Sequence, residues 1–144
     1  MFMRRAITVA FAAILLITPV LNGCGNSSSA PAALQENGLP APGKIKPMDY
    51  QNNFVAKKSQ HLLIDVRTVG EFAAGYIPGA INIPLDQISQ RLSEIPKDEP
   101  VVVYCQSGNR SNQATQLLKG EGYSQIYDLG GISQWQSAGM PVQK

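Results

Sequence analysis

Residues 100–111 read PVVVYCQSGNRS. Three consecutive valines mark a β-strand, because β-branched side chains pack well on a pleated surface and cost helix propensity. The run shows no alternation of apolar and polar residues, so it predicts a strand covered on both faces. The strand is expected over Pro100–Tyr104, with Cys105 directly at its end. A loop of small and polar residues follows, Gln106, Ser107, Gly108 and Asn109, and it closes at Arg110. From Arg110 to Lys119 (RSNQATQLLK) the pattern is helical, with Gly120 and Gly122 placed to stop it.

A strand, a tight loop and a helix in succession are a setting for anions. The first N–H groups of a helix lack intrahelical partners, and the helix dipole is positive there. A curled loop adds amides pointing inward as a nest. Gly108 permits the curl, because glycine adopts positive φ without a steric penalty. A thiol becomes nucleophilic only as thiolate, and positive potential lowers its pKa. Cys105 at the base of the loop therefore reads as a nucleophile in an anion cradle, with Arg110 adding a permanent charge. The competing reading is a small buried hydrophobe after a strand.

Working outward, the other elements alternate in type. Pro47–Lys58 is helical, with Met48, Tyr50, Phe54 and Val55 available for a core face. Residues 61–66 (HLLIDV) form a second buried strand. Thr68 and Glu71 stand three apart as a capping box opening a short helix. Gly75–Gly79 is turn material, residues 80–83 a short strand, and Pro84–Leu92 a helix with Leu85, Ile88 and Leu92 on one face. Gln125–Leu129 is the last strand, and a final helix over Ser133–Ser137 carries the single tryptophan, Trp135. Alternation of strands and helices predicts an α/β fold with a central, mostly parallel sheet and helices on both faces. Asp65 and Cys105 both fall at carboxyl ends of strands, where open α/β sheets bind ligands.

The chain has 144 residues and a formal net charge of +2. That length fits one domain. With no basic run and no interleaving of aromatic and basic residues, nucleic acid is not an expected partner. The first 23 residues differ from the rest. Arg4 and Arg5 precede a stretch, residues 6–17 (AITVAFAAILLI), that is apolar apart from Thr8. This is the pattern of a secretory signal, and it stops short of the roughly 20 residues that span a bilayer. An uncleaved anchor is the alternative. Residues 24–46 follow, rich in Ser, Pro, Gly and Ala, and read as a flexible tether with an end-to-end distance of about 25 Å. Residues 47–144 are the folded domain.

Leu21-Asn22-Gly23-Cys24 resembles the lipobox of bacterial lipoproteins, with Asn22 in place of the usual small residue. The resemblance implies lipidation of Cys24, cleavage before it, and a lipid-anchored, extracytoplasmic place in the cell envelope. An ordinary signal peptide with a chance cysteine is the competing reading. Loss of the first 23 residues removes two of the 12 basic residues and leaves ten against ten acidic ones.

Residues 47–142 resemble a single rhodanese-like domain, the family of thiosulfate and persulfide sulfurtransferases. LIDVRTVGEFAAGYIPGAINIP (63–84), YCQSGNRS (104–111), Gly122-Tyr123, and Asp128-Leu129-Gly130-Gly131 with Trp135 and Gly139-Met140-Pro141 carry the resemblance. It implies a rhodanese-like fold and no cofactor. It implies that Cys105 takes a sulfane sulfur from a small sulfur-containing anion or a persulfide donor. The resulting persulfide would be cradled by Gln106, Ser107, Gly108, Asn109 and Arg110, and then surrender its sulfur to a thiol or cyanide acceptor. Two positions depart from the family pattern: Gln106, where a basic residue is common, and Tyr76, where histidine is usual. A non-catalytic module that binds a partner or carries persulfide is the alternative. Phosphatases of related chemistry have one more residue between cysteine and arginine, so the shorter loop suits sulfur better than a tetrahedral phosphate.

Asp65 and Arg67 read as an ion pair or a loop brace at the edge of the site. His61, the only histidine, reads as a surface residue. One histidine and one cysteine in the folded domain are too few ligands for a structural zinc site, so no metal is expected.

Overall fold

The computed structural model describes residues 38–144. The expected signal segment, the lipobox-like residues ending at Cys24 and the first part of the expected tether lie outside them. Five strands form one sheet: β1 (Gly43–Lys44), β2 (Leu62–Asp65), β3 (Ile81–Asn82), β4 (Val101–Cys105) and β5 (Ile126–Gly131). Their order across the sheet is β1-β5-β4-β2-β3, and every pairing is parallel. The helices are α1 (Pro47–Tyr50), α2 (Val69–Ala74), α3 (Asn109–Gly120) and α4 (Ile132–Ser137). The sheet is thus wholly parallel, as befits strands buried on both faces.

Strand alternation sorts the core into two layers. Leu63, Val102, Tyr104, Tyr127 and Leu129 point to one face, where Tyr50, Phe54, Ile132 and Trp135 cover them. Ile64, Val101, Val103, Cys105 and Ile126 point to the other, where Ile88, Ala114 and Leu118 cover them. The first layer is aromatic: Phe54 meets Tyr127 edge-on at 5.0 Å, and Trp135 meets Tyr50 at 5.8 Å. The second is almost wholly aliphatic, and Cys105 sits at its upper rim.

Four sequence expectations are corrected. Residues 38–46 are not tether. Leu39 and Ile45 are buried, β1 pairs with β5, and the Ile45 N–H donates to Asp128 O at 2.9 Å. Two residues suffice for an edge strand, too few to leave a periodic signal. The segment after α1 widens into a π-helical turn over Gln51–Val55, with Ala56 N–H donating to Gln51 O. Its altered pitch keeps Tyr50 and Phe54 inside and leaves Met48 and Val55 exposed. Residues 84–92 form 3₁₀ turns, Leu85–Gln90 and Leu92–Glu94, and of the three expected apolar residues only Ile88 is fully buried. His61 is half-buried: Tyr50 OH lies 2.8 Å from its Nε2, and its Nδ1 lies 2.6 Å from Ser59 O. The Thr68–Glu71 capping box forms as expected. The Glu71 N–H donates to Thr68 Oγ, and the Thr68 N–H donates to Glu71 Oε2 at 3.0 Å.

Candidate active site

β4 places Cys105 at its carboxyl end with the thiol turned into the aliphatic layer, 1% exposed. The chain then turns sharply at Gly108, whose φ of 102° lies in the region that favours glycine, and enters α3. The turn aims the Gly108 N–H at Cys105 Sγ, 3.1 Å away. Burial pushes the Cys105 thiol up, but the backbone N–H groups of Ser111, Gly108 and Ser107, with the Ser111 hydroxyl, outweigh it. The net shift is downward. An anion on this sulfur is thus held by backbone dipoles and the start of a helix.

A second wall supports the loop. β5 carries one extra residue where the pairing passes from Val103–Asp128 to Tyr104–Gly130. Asp128 Oδ1 accepts the Gly130 N–H at 2.9 Å and fixes this bulge. Gly131 then lies so close that a Cβ there would stand 2.6 Å from Gln106 O and 2.8 Å from Ser107 Cα. Ser111 Oγ lies 3.1 Å from Gly108 O and 3.3 Å from Gly130 O, tying helix to bulge. The Gln106 carbonyl accepts from Ser133 Oγ at 2.9 Å. The loop is therefore gripped from α3, β5 and α4 at once.

The neighbouring strand end is built otherwise. Asp65 is fully buried and Arg67 is 4% exposed. The Asp65 carboxylate accepts Arg67 N–H, Nε–H and Nη2–H, the last at 2.6 Å. Arg67 Nη2 also donates to Gly75 O, and Asn82 Nδ2 donates to the carbonyls of both Asp65 and Arg67. Arg67 Nη1 reaches Gln106 Oε1 at 3.4 Å. This is the brace at the site's edge.

Of the residues singled out in sequence, Ser107 and Gly108 direct amides to the sulfur. Gln106 uses its side chain on Arg67, and Asn109 Oδ1 accepts from Gln113. Arg110 donates to Glu71 through Nη1 and Nη2, at 2.8 and 2.7 Å, and its charge also acts on the Cys105 sulfur. Sequence reading missed Ser111, Asn82 and Gly131 as parts of the site, and it knew Glu71 only as a helix cap. The Gly130-Gly131 pair was the one available signal, because adjacent glycines after a strand mark a bulge or a close backbone approach.

A parallel α/β sheet that presents a thiolate-stabilising loop at a strand's carboxyl end is a setting suited to a nucleophilic cysteine. The chain belongs to the rhodanese family: the family model for the Rhodanese-like domain matches residues 47–138. A sulfurtransferase of Allochromatium vinosum is 49% identical over 82 residues, spanning 56% of this chain and 77% of that protein. Thiosulfate sulfurtransferase PspE of Escherichia coli is 38% identical over 71 residues, spanning 48% of this chain and 68% of that protein. Among solved structures, a rhodanese-related protein from Thermoplasma volcanium superposes with a TM-score of 0.62 at 31% identity, covering 69% of this chain and 96% of that one. Family and relatives together support sulfur transfer as the general activity.

Proposed function

We propose that this chain is a sulfurtransferase that moves a sulfane sulfur from a small donor to a thiol or cyanide acceptor through a persulfide on Cys105. The observation that carries the reading is the Gly108 N–H at 3.1 Å from a buried Cys105 sulfur whose pKa is lowered. The thiolate attacks the outer sulfur of the donor and forms a new S–S bond. The donor's S–S bond breaks, and its electron pair leaves on sulfite or thiolate. The amides of Ser107, Gly108 and Ser111 then hold the persulfide anion, and they need no rearrangement to do so. A nucleophilic acceptor takes the outer sulfur and returns the Cys105 thiolate. Transfer in two steps replaces one difficult reaction by two easier ones.

The test is the intact mass of the purified chain after incubation with thiosulfate or a persulfide. The wild type gains one sulfur atom and loses it to cyanide. Cys105→Ser gains none and yields no thiocyanate. A Cys105→Ser variant that still makes thiocyanate rules out this mechanism.

The same proposal includes a lipid anchor at Cys24 in the bacterial cell envelope, supported by the lipobox-like residues 21–24. Two or more acyl chains hold a protein stably at a membrane. Labelled fatty acid enters the wild type and not Cys24→Ala; equal labelling of the two removes the anchor.

A further inference from the structure

Both guanidinium groups beside the loop are already paired. Arg67 is buried on Asp65, and its remaining Nη2 hydrogen bond goes to Gly75 O. Arg110 places both Nη atoms on Glu71. Glu71 is itself pinned, because its Oε2 also accepts from the Thr68 N–H and hydroxyl that cap α2. The carboxylate therefore cannot swing off Arg110 without opening the helix cap. Position 106 is neutral glutamine, and Asp86 lines the groove beside Arg110. Two guanidinium groups thus stand among three carboxylates, so the charge that Arg110 still directs at the Cys105 sulfur is largely offset by Glu71.

A groove of about 370 Å³, reaching the loop at Arg110, is lined by Val66, Pro84 and Leu85 together with Thr68 and Asp86. Val66 packs in the same aliphatic layer as Cys105. Thiosulfate is a compact dianion with no apolar part to place there. An organic persulfide brings at most one negative charge on sulfur and a carbon body that an apolar groove can hold.

Resting on the sulfurtransferase reading, we propose that Glu71 is a specificity-determining residue that, by holding Arg110, makes this site take its sulfur from an organic persulfide in preference to thiosulfate. The step is a displacement at sulfur. The Cys105 thiolate attacks the terminal sulfur of R–S–SH, the Cys105–S bond to that sulfur forms, and the R–S bond to it breaks. The electron pair leaves on R–S⁻, which picks up a proton from water. No external oxidant or reductant enters. Arg110 holds the Glu71 carboxyl down to about 2, so the pair is intact at every pH at which the thiolate works.

The experiment uses the full chain, two donors (thiosulfate and the persulfide of N-acetylcysteine methyl ester) and cyanide as acceptor, with sulfur loading read by intact mass. For the wild type, kcat/KM with the persulfide exceeds that with thiosulfate by about tenfold or more. Glu71→Gln keeps the shape of the cap and frees Arg110. It raises kcat/KM for thiosulfate by roughly tenfold at low ionic strength, chiefly through KM, and the gain shrinks as salt rises. Its ratio of persulfide to thiosulfate kcat/KM falls by several-fold, because a donor with at most one negative charge gains less from a freed guanidinium than a dianion does. Glu71→Asp keeps the carboxylate and the wild-type donor ratio. Asp86→Asn, at an exposed position, gives a smaller gain for thiosulfate of about twofold and covers the case in which Glu71→Gln folds poorly. Equal use of both donors by the wild type, or a Glu71→Gln variant that lowers both alike, overturns the inference and leaves the sulfurtransferase reading standing. Loading from neither donor overturns that reading itself.

Discussion

The carboxyl ends of β2 and β4 lie side by side, Asp65 paired with Tyr104 one residue before Cys105. They end in opposite ways. β2 ends in a permanent charge pair, buried and satisfied by the two side chains and by Gly75 O, while Asn82 Nδ2 donates to the backbone carbonyls of Asp65 and Arg67. β4 ends in a sulfur whose charge comes and goes, and backbone N–H groups hold it. The difference follows from what each charge must do. A fixed buried charge needs a fixed opposite charge, since desolvation otherwise costs several kcal/mol. A transient charge next to a counter-ion would be bound too firmly to one state, whereas amide dipoles fixed by the fold serve thiol and thiolate alike. The arginines repeat the lesson: each is claimed by a carboxylate, and the hydrogen bond to the sulfur comes from the Gly108 N–H.

The sharpest way to break the comparison is Asp65→Ala. It strands the Arg67 guanidinium, 4% exposed, without its counter-ion. A buried pair that loses one partner costs about 3–5 kcal/mol, so the midpoint of urea denaturation falls markedly. An unchanged midpoint would show that the β2 end does not depend on the pair. At the β4 end, Gly131→Ala tests the backbone grip. The new Cβ meets Gln106 O and Ser107 Cα at 2.6 and 2.8 Å, so the loop must shift. The expected cost is about 1–3 kcal/mol, as for overpacking in a core, together with a loss of sulfur loading as the amides leave the sulfur. Full loading at wild-type stability would mean that the grip from β5 is not needed.

The smallest effect sharpens the picture at the sulfur itself. In Ser111→Ala the hydroxyl no longer assists the thiolate, at a cost of about 1 kcal/mol. The folded-state pKa of Cys105 lies below the ordinary thiol value of 9.0. Its anion therefore contributes stability above the unfolded pKa, and this is lost as pH falls through the folded pKa. Alkylation by iodoacetamide accordingly rises with pH through a midpoint below 9.0 in the wild type. In Ser111→Ala that midpoint moves up toward the ordinary value. A midpoint that stays put would assign the whole downward shift to the amides of Ser107, Gly108 and Ser111.

Much of this was written locally in the chain. The valine run of β4, the box from Thr68 to Glu71 and the small-residue loop from Gln106 to Asn109 act over a few residues, and each formed where the pattern placed it. The strand assignment of residues 100–104 and the helix from 110 to 119 differ from β4 and α3 by one residue at each end. The errors fell where local rules are degenerate. An apolar spacing of three to four residues fits α, 3₁₀ and π turns alike, so residues 84–92 and 51–55 took pitches that tertiary packing selected. A two-residue edge strand such as β1 has no period to read.

The sequence by itself determined the parallel α/β architecture, the family to which residues 47–138 belong, and a cysteine at the end of a strand before a tight turn of small residues. The tertiary structure alone decided which groups meet that cysteine and its loop. Glu71 and Arg110 stand 39 residues apart, as do Arg67 and Gln106, and the parallel register of β2 beside β4 brings both pairs together. Gly131 reaches the loop because a bulge in β5 advances the chain by one residue. Short-range patterns encode which backbone conformation is cheapest. Charge compensation and close approach depend on distances in space, and those are set only when the strands have paired and both faces of the sheet are covered.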